Sequence, residues 1–286
     1  MPELQILNNK KYWPKDWRNK TSIMGIINLT PDSFSDGGEI NCTEKAIDQV
    51  KNFLSFGVDV IDIGAQSTRP GAKEVGSKVE KERLIPILKE IRNNFPDILI
   101  SIDTFNSEVA ESALSCGANW INDVTGGRRD EKILDVVAGF HCPFVITHSR
   151  GNSKNMNKLN NYEDIVSDIT NSLNSLTEKA LKKKVSEDKI IWDPGLGFSK
   201  NTQQNIIILR NLHTLKNYGF PLLIGASRKR FIGEILKETN PKNRDIGSLA
   251  ISVLCSQLNI DIVRVHNVSL NCHILKVADK IHRQKY

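Results

Sequence analysis

Eight times along this chain a short apolar, β-branched run gives way to a longer stretch of helical character. The strand candidates are 23–29, 58–63, 98–103, 120–124, 143–147, 189–193, 221–225 and 261–265. The helical patterns that follow them are 43–56, 79–94, 107–116, 130–138, 164–184, 202–218, 247–258 and 270–283. Strands of about six residues alternating with helices of ten or more pair in parallel through helical crossovers. Eight such units in 286 residues predict a (β/α)8 barrel, the TIM-barrel architecture, which needs about 250 residues. No Gly-x-Gly-x-x-Gly follows the first strand, so a dinucleotide-binding open sheet is disfavoured. Nothing reads as a linker, and the asparagine-rich stretch 152–161 reads as a loop. The expectation is one α/β barrel domain over 21–286, preceded by an N-terminal extension at 1–20.

Composition narrows the setting. The chain is 39% hydrophobic and 25% charged, the balance of a globular protein. Five cysteines (Cys42, Cys116, Cys142, Cys255, Cys272) are scattered and never form a C-x-x-C pair. That spacing argues against a disulfide framework and a structural zinc site, and points to a reducing compartment. Residues 1–20 lack an apolar signal core, and no run approaches the roughly 18 apolar residues needed to span a bilayer. A cytoplasmic protein with no membrane association is expected. The net charge of +6 suits an anionic small molecule. With 6% aromatic residues and no basic run interleaved with aromatics, nucleic-acid binding is not expected.

In a barrel, chemistry sits at the C-terminal ends of the strands and in the loops after them. The first such end, Met24–Gly38, turns abruptly from a buried strand into a polar, glycine-ended loop, TPDSFSDGG. Taken by itself it reads equally as a surface turn or a site loop. The other ends carry a restricted set: Asp62 and Gly64 before Gln66–Gly71, then Asp103, Asn122 and Asp123, and then His148, Ser149 and Arg150. Asp193–Phe198, Ser227–Arg230, and Arg264, His266 and Asn267 complete it. Arg69, Lys229, Arg264 and His266 could converge on an anion, because planar guanidinium forks bind phosphate oxygens two at a time. Asp103, Asn122 and Asp193 offer acceptors and amides matched to a flat heterocycle bearing several N–H groups. Each also has a plainer reading. A strand-end aspartate can cap the next helix, Lys229 can be a solvated surface charge, and His266 can be structural. No G-x-S-x-G elbow and no H-E-x-x-H pair is present.

The segments MGIINLTPDSFSDGG, VDVIDIGAQSTRPGA, ISIDTFNSEVAESALSCGANWINDVTGG, IIWDPGLGFSK, PLLIGASRKRFIG and DIVRVHNV run in order through the barrel. With them the chain closely resembles the dihydropteroate synthases, of the pterin-binding barrel family. The resemblance implies a transferase of folate biosynthesis. It would condense 6-hydroxymethyl-7,8-dihydropterin diphosphate with 4-aminobenzoate, giving 7,8-dihydropteroate and diphosphate. Carried over by position, Asn28 matches the Mg2+-binding residue. Thr68, Arg69, Arg264 and His266 match the diphosphate-handling positions. Asp103, Asn122, Asp193 and Lys229 match the pterin pocket, and Pro70, Phe198 and Ser227 border 4-aminobenzoate, where sulfonamides would also sit. Asp103, Lys229, Arg264 and His266 are the expected catalytic set. Loops 30–40 and 67–76 would close over the site, and a homodimer is implied. A methyltetrahydrofolate–corrinoid methyltransferase shares the barrel but has no use for the diphosphate-binding arginines or the S-R-K segment. Three departures stand out: Gln66 where glutamate is usual, Thr147-His148-Ser149 where Met-His-Met is usual, and Asn267 where aspartate is commoner.

Overall fold

Alternation within each strand divides its residues between a barrel interior and a helix-facing exterior. In the computed structural model, which describes residues 12–29, 39–67, 71–72 and 74–283, the strands fall where the apolar runs place them. They are Ser22–Asn28 (β1), Val60–Gly64 (β2), Leu99–Asp103 (β3), Trp120–Asp123 (β4), Phe144–Thr147 (β5), Ile190–Asp193 (β6), Leu223–Ile224 (β7) and Ile262–Val265 (β8). All pair in parallel, in the order β6-β5-β4-β3-β2-β1-β8-β7. A single bridge, Trp192 to Leu222, brings β6 back against β7 and closes the ring.

The intervening helices are Glu39–Phe56 (α1), Ser77–Asn94 (α2), Ser107–Ser115 (α3), Lys132–Phe140 (α4) and Ile165–Lys182 (α5). Thr202–Arg210 (α6), Leu212–Lys216 (α7), Arg230–Leu236 (α8), Asp245–Gln257 (α9) and Val268–His282 (α10) follow. Two of these differ from the sequence expectation. The helix expected over 202–218 breaks at Asn211, whose backbone (φ −113°, ψ 19°) leaves the helical region. The short helix α8 follows β7 directly and was not expected, because seven residues are too few to show a periodicity.

The exterior of the barrel is aliphatic. Ile23, Ile27, Ile61, Ile63, Ile100, Ile102, Ile146, Ile190 and Val263 join the inward faces of the helices in one buried core. Gly25 sits where β1 is crossed closely by two helices. A Cβ there would lie 2.7 Å from the Phe53 ring of α1 and 2.8 Å from the Val268 side chain of α10, so only glycine lets both approach.

Inside the barrel a second, separate cluster holds Met24, Val60, Leu99, Trp120, Val145, Ile191, Leu223 and Ile262, one from each strand. Trp13 packs beneath it, edge-on to Trp120 at 5.4 Å and stacked on Trp17 at 4.5 Å. Trp120 Nε1 donates to Tyr12 O at 2.6 Å. The described part of the N-terminal extension therefore plugs the lower end of the barrel, a role the sequence left open.

Candidate active site

Two residues further along six of the eight strands the interior changes character. Above the apolar layer stand Asp62, Ser101, Asn122, Thr147, Asp193 and Arg264, and the carboxylates, amide and hydroxyls among them are nearly all buried. Burying such groups is costly unless they are paired; Ser101 Oγ and Thr147 Oγ1 have no protein partner, and the pairing centres on Arg264. Arg264 donates from Nε to Asp62 at 2.6 Å and from Nη2 to Asp103 at 2.7 Å. Asn122 Nδ2 donates to the same Asp62 oxygen at 3.2 Å. The other oxygen of Asp62, Oδ1, is buried without a protein partner.

One guanidinium thus serves two carboxylates, and Asp103 bears the deficit. Burial pushes its carboxyl up to about 7, with Asp62, Glu80 and Asp123 adding to the rise and Arg264 opposing it. Burial would lower the Arg264 guanidinium, but Asp62 and Asp103 outweigh it and hold the group above its ordinary value. Across the barrel, burial raises Asp193 against the pull of Lys229, and Asp193 accepts from Gly195 N at 2.7 Å. Burial lowers Lys229 to about 8, with Asp193 opposing. Its Nζ donates to Leu196 O and lies 4.5 Å from the centre of the Phe198 ring. Titratable groups displaced toward neutral pH at the mouth of a barrel are the mark of a working site.

The remaining expected residues divide. His266 Nδ1 lies 2.9 Å from Ser227 Oγ, which also accepts from His266 N at 3.1 Å. Asn28 ends β1, in register with Gly64. Thr68, Arg69 and Pro70 lie outside the described residues, as do loop residues 30–38 and 73. The structure therefore brings Asp103, Asn122, Asp193, Phe198, Ser227, Lys229, Arg264 and His266 to one mouth. Arg264, grouped by sequence with the anion-binding cations, sits instead between two carboxylates.

Asp62 was visible as a strand end but received no role. Lys200 was not singled out at all. It is only 6% exposed and gave no sequence signal, since nothing local distinguishes a buried lysine from a surface one. Among the departures noted in the sequence, Gln66, Ser149 and Asn267 make local hydrogen bonds. Gln66 Oε1 accepts from Val75 N at 3.3 Å, pinning the loop after β2. Ser149 Oγ donates to Val124 O at 2.7 Å and accepts from Arg128 at 2.9 Å. Asn267 caps α10 through Leu270 N at 3.1 Å and donates to Asp245 at 3.0 Å, a bond an aspartate could not make.

Beside this mouth an open cleft lies between the loops after β2 to β6, lined in part by Gln66, Phe105, Val124, Arg128, Arg150, Met156 and Phe198. The stretch 152–161 borders it and holds the preceding loop through Gly71 N to Ser153 O at 2.8 Å and Ser153 Oγ to Ala72 O at 2.9 Å. Among the described residues no group of three His, Cys, Asp or Glu side chains is gathered for a metal ion.

The sequence profile of the pterin binding enzymes matches residues 24–266, which is nearly the whole barrel. The chain belongs to the pterin-binding enzyme family. A dihydropteroate synthase of Synechocystis is 46% identical over 268 residues, 94% of this chain and 92% of that protein. Among solved family members, the Clostridium difficile dihydropteroate synthase crystallised in the presence of pteroic acid superposes with a TM-score of 0.88 at 41% identity. It covers 94% of this chain and 99% of that one. The Xanthomonas albilineans enzyme with 4-aminobenzoic acid gives 0.87 at 35% identity, covering 94% and 95%. Within this family the polar upper layer of the barrel acquires a chemical meaning.

Proposed function

We propose that this chain is a dihydropteroate synthase, condensing 6-hydroxymethyl-7,8-dihydropterin diphosphate with 4-aminobenzoate to 7,8-dihydropteroate and diphosphate. The observation that carries the reading is the set of buried Asp103, Asn122 and Asp193 and half-buried Lys229 around the Asp62–Arg264 pair. A flat pterin presents N–H donors and ring acceptors around its edge, and this set offers carboxylates, an amide and an ammonium at the same height. The solved relatives support it, because two were obtained with pteroic acid or 7,8-dihydropteroate. The Yersinia pestis relative was obtained with a sulfonamide.

Physically, the aniline nitrogen attacks the exocyclic CH2 while the C–O bond to diphosphate breaks. The electron pair leaves with the diphosphate, and the nitrogen then releases its proton. The neutral amine is already nucleophilic, so the protein need supply no strong base. Ionised Asp103 favours positive charge developing on the ring, and the fixed dipoles of a closed mouth stabilise it without reorganisation. Lys229 fixes the heterocycle opposite Asp193. His266 and the loop residues Thr68 and Arg69 meet the departing diphosphate, while Phe198, Ser227 and Pro70 border the amine.

Asn28 would hold Mg2+ through its amide oxygen, the ion taking its other ligands from diphosphate and water. That donor set suits Mg2+, which is commonly held by few protein oxygens plus substrate phosphates. When bound, the ion supplies positive charge to the leaving group. The same reading places the enzyme in the cytoplasm, in keeping with its scattered cysteines. No helix of the described residues is long and apolar enough to cross a membrane. It also makes the enzyme a homodimer through α8, α9 and α10, where Ile235, Leu236, Ile246, Leu270, Val277 and Ile281 lie exposed.

Mixing the protein with the pterin diphosphate, 4-aminobenzoate and Mg2+ should yield equal amounts of dihydropteroate and diphosphate, with a sulfonamide competing against the amine. Absence of diphosphate release would overturn the reading.

A further inference from the structure

Lys200 follows β6 by seven residues, and its side chain turns back into the protein rather than out to water. Its Nζ lies 2.9 Å from Gly195 O, 3.0 Å from Phe198 O and 2.9 Å from His148 Nδ1, with His148 O at 3.3 Å. Three short contacts saturate the three donors of an ammonium. A neutral amine in the same place keeps both carbonyls and takes the ring N–H on its lone pair, so the clamp survives either protonation state.

The segment it holds is unusual. Gly195 (φ 66°), Gly197 (φ 78°) and Ser199 (φ 51°) all adopt left-handed backbone within five residues. A Cβ on Gly195 would lie 1.9 Å from His148 O, so the turn is pressed against the end of β5. From the opposite side Lys229 Nζ donates to Leu196 O. The carbonyls of Gly195, Leu196 and Phe198 are therefore each held by a lysine amine, one buried behind the turn and the other in the pocket. At the end of this turn is the Phe198 ring, with Lys229 Nζ above it. Such backbone does not persist unless its surroundings over-determine it. Lys200 supplies two of the bonds that hold this turn, to Gly195 O and Phe198 O, from behind it.

We propose that Lys200 is a positioning residue for the second substrate. By holding the carbonyls of Gly195 and Phe198, it sets the Phe198 ring, and so governs affinity for the aromatic amine. The inference rests on the synthase reading, in which Phe198 borders 4-aminobenzoate.

The test uses Lys200→Met, which keeps the length and removes every donor, and Lys200→Gln, which keeps an N–H pair. Lys200→Met should raise KM for 4-aminobenzoate about tenfold, the scale of a sub-ångström misplacement, while KM for the pterin diphosphate stays within about twofold. Lys200→Gln should fall between Lys200→Met and the wild type. Hydrogen exchange should quicken at the amides of Gly195, Gly197 and Phe198 and stay unchanged in β5. Equal losses for both substrates, or a lowered Tm with KM unchanged, would overturn the inference. If Lys200→Met does not fold, the same two readouts on Lys200→Gln decide the matter. A wild-type protein that releases no diphosphate refutes the synthase reading alone. The exchange measurement then still decides whether Lys200 fixes the turn.

Discussion

The lower and upper halves of the barrel interior are built by the same strands, on the same inward-facing positions, two residues apart. Below, Met24, Val60, Leu99, Trp120 and their neighbours make a dry apolar layer sealed by Trp13. Above, Asp62, Asn122, Asp193 and Arg264 make a polar layer in which burial raises the Asp193 carboxyl and the facing carboxylates raise the Arg264 guanidinium. The contrast shows how a barrel separates its tasks. Hydrophobic burial in the lower layer supplies the stability that tolerates an upper layer whose carboxylates outnumber the cations facing them.

Removing the largest lower side chain should therefore cost stability and little chemistry. Trp120→Ala should destabilise by about 3–5 kcal/mol, the usual cost of emptying a large core site, while KM for both substrates in the folded fraction stays near wild type. A variant that melted normally but lost pterin affinity would break the comparison. Denaturant unfolding beside steady-state kinetics decides it.

The converse substitution is Asp103→Asn. It should lower kcat by about 10^2–10^3-fold, the loss typical of one preorganised electrostatic partner, while Tm changes little or rises. Its pH behaviour sharpens the point. The folded carboxyl titrates at about 7, above the unfolded value of about 3.9. The native state therefore binds the extra proton between those values, and stability falls as pH rises through that window. In activity the sign reverses, because the ionised form favours the cationic ring. The rate should fall below about pH 7 in the wild type. In Asp103→Asn both the stability slope and this acid limb should flatten, as differential scanning and a pH–rate profile would register. An unchanged acid limb would remove Asp103 from the chemistry.

A smaller effect is expected at the rim. Asn267→Asp keeps the helix cap but sets a carboxylate against Asp245, which already accepts two bonds from Arg228 at 2.7 and 2.8 Å. A loss of about 1 kcal/mol should follow, with less loss at low pH as the carboxylates protonate. The smallest change in fold energy should come from Ile246→Glu. Ile246 is 77% exposed, so the monomer's stability should move by no more than about 0.5 kcal/mol. Sedimentation should nonetheless show halved mass if α8, α9 and α10 form the dimer face.

Much of this was legible in the chain. Eight strand positions followed from apolar runs flanked by turn residues, and all eight end within one residue of the expected place. Strand β7 shrank to Leu223–Ile224 because β6 meets it through only one bridge. Asp103, Asn122, Asp193 and Lys229 stood out because polar residues closing apolar strands are conspicuous. Lys200 did not, because its burial depends on a return of the turn toward His148, 52 positions away in the chain.

The sequence by itself determined the periodicity, the barrel and the identity of the polar strand ends, since these depend on local pattern and count. Only the tertiary structure decided that Arg264 belongs to two carboxylates, that Asp62 completes the polar layer, and that Trp13 seals the base. Those facts arise where parallel strands bring distant residues into register, and pairing across the barrel interior leaves no mark on neighbouring residues in the chain.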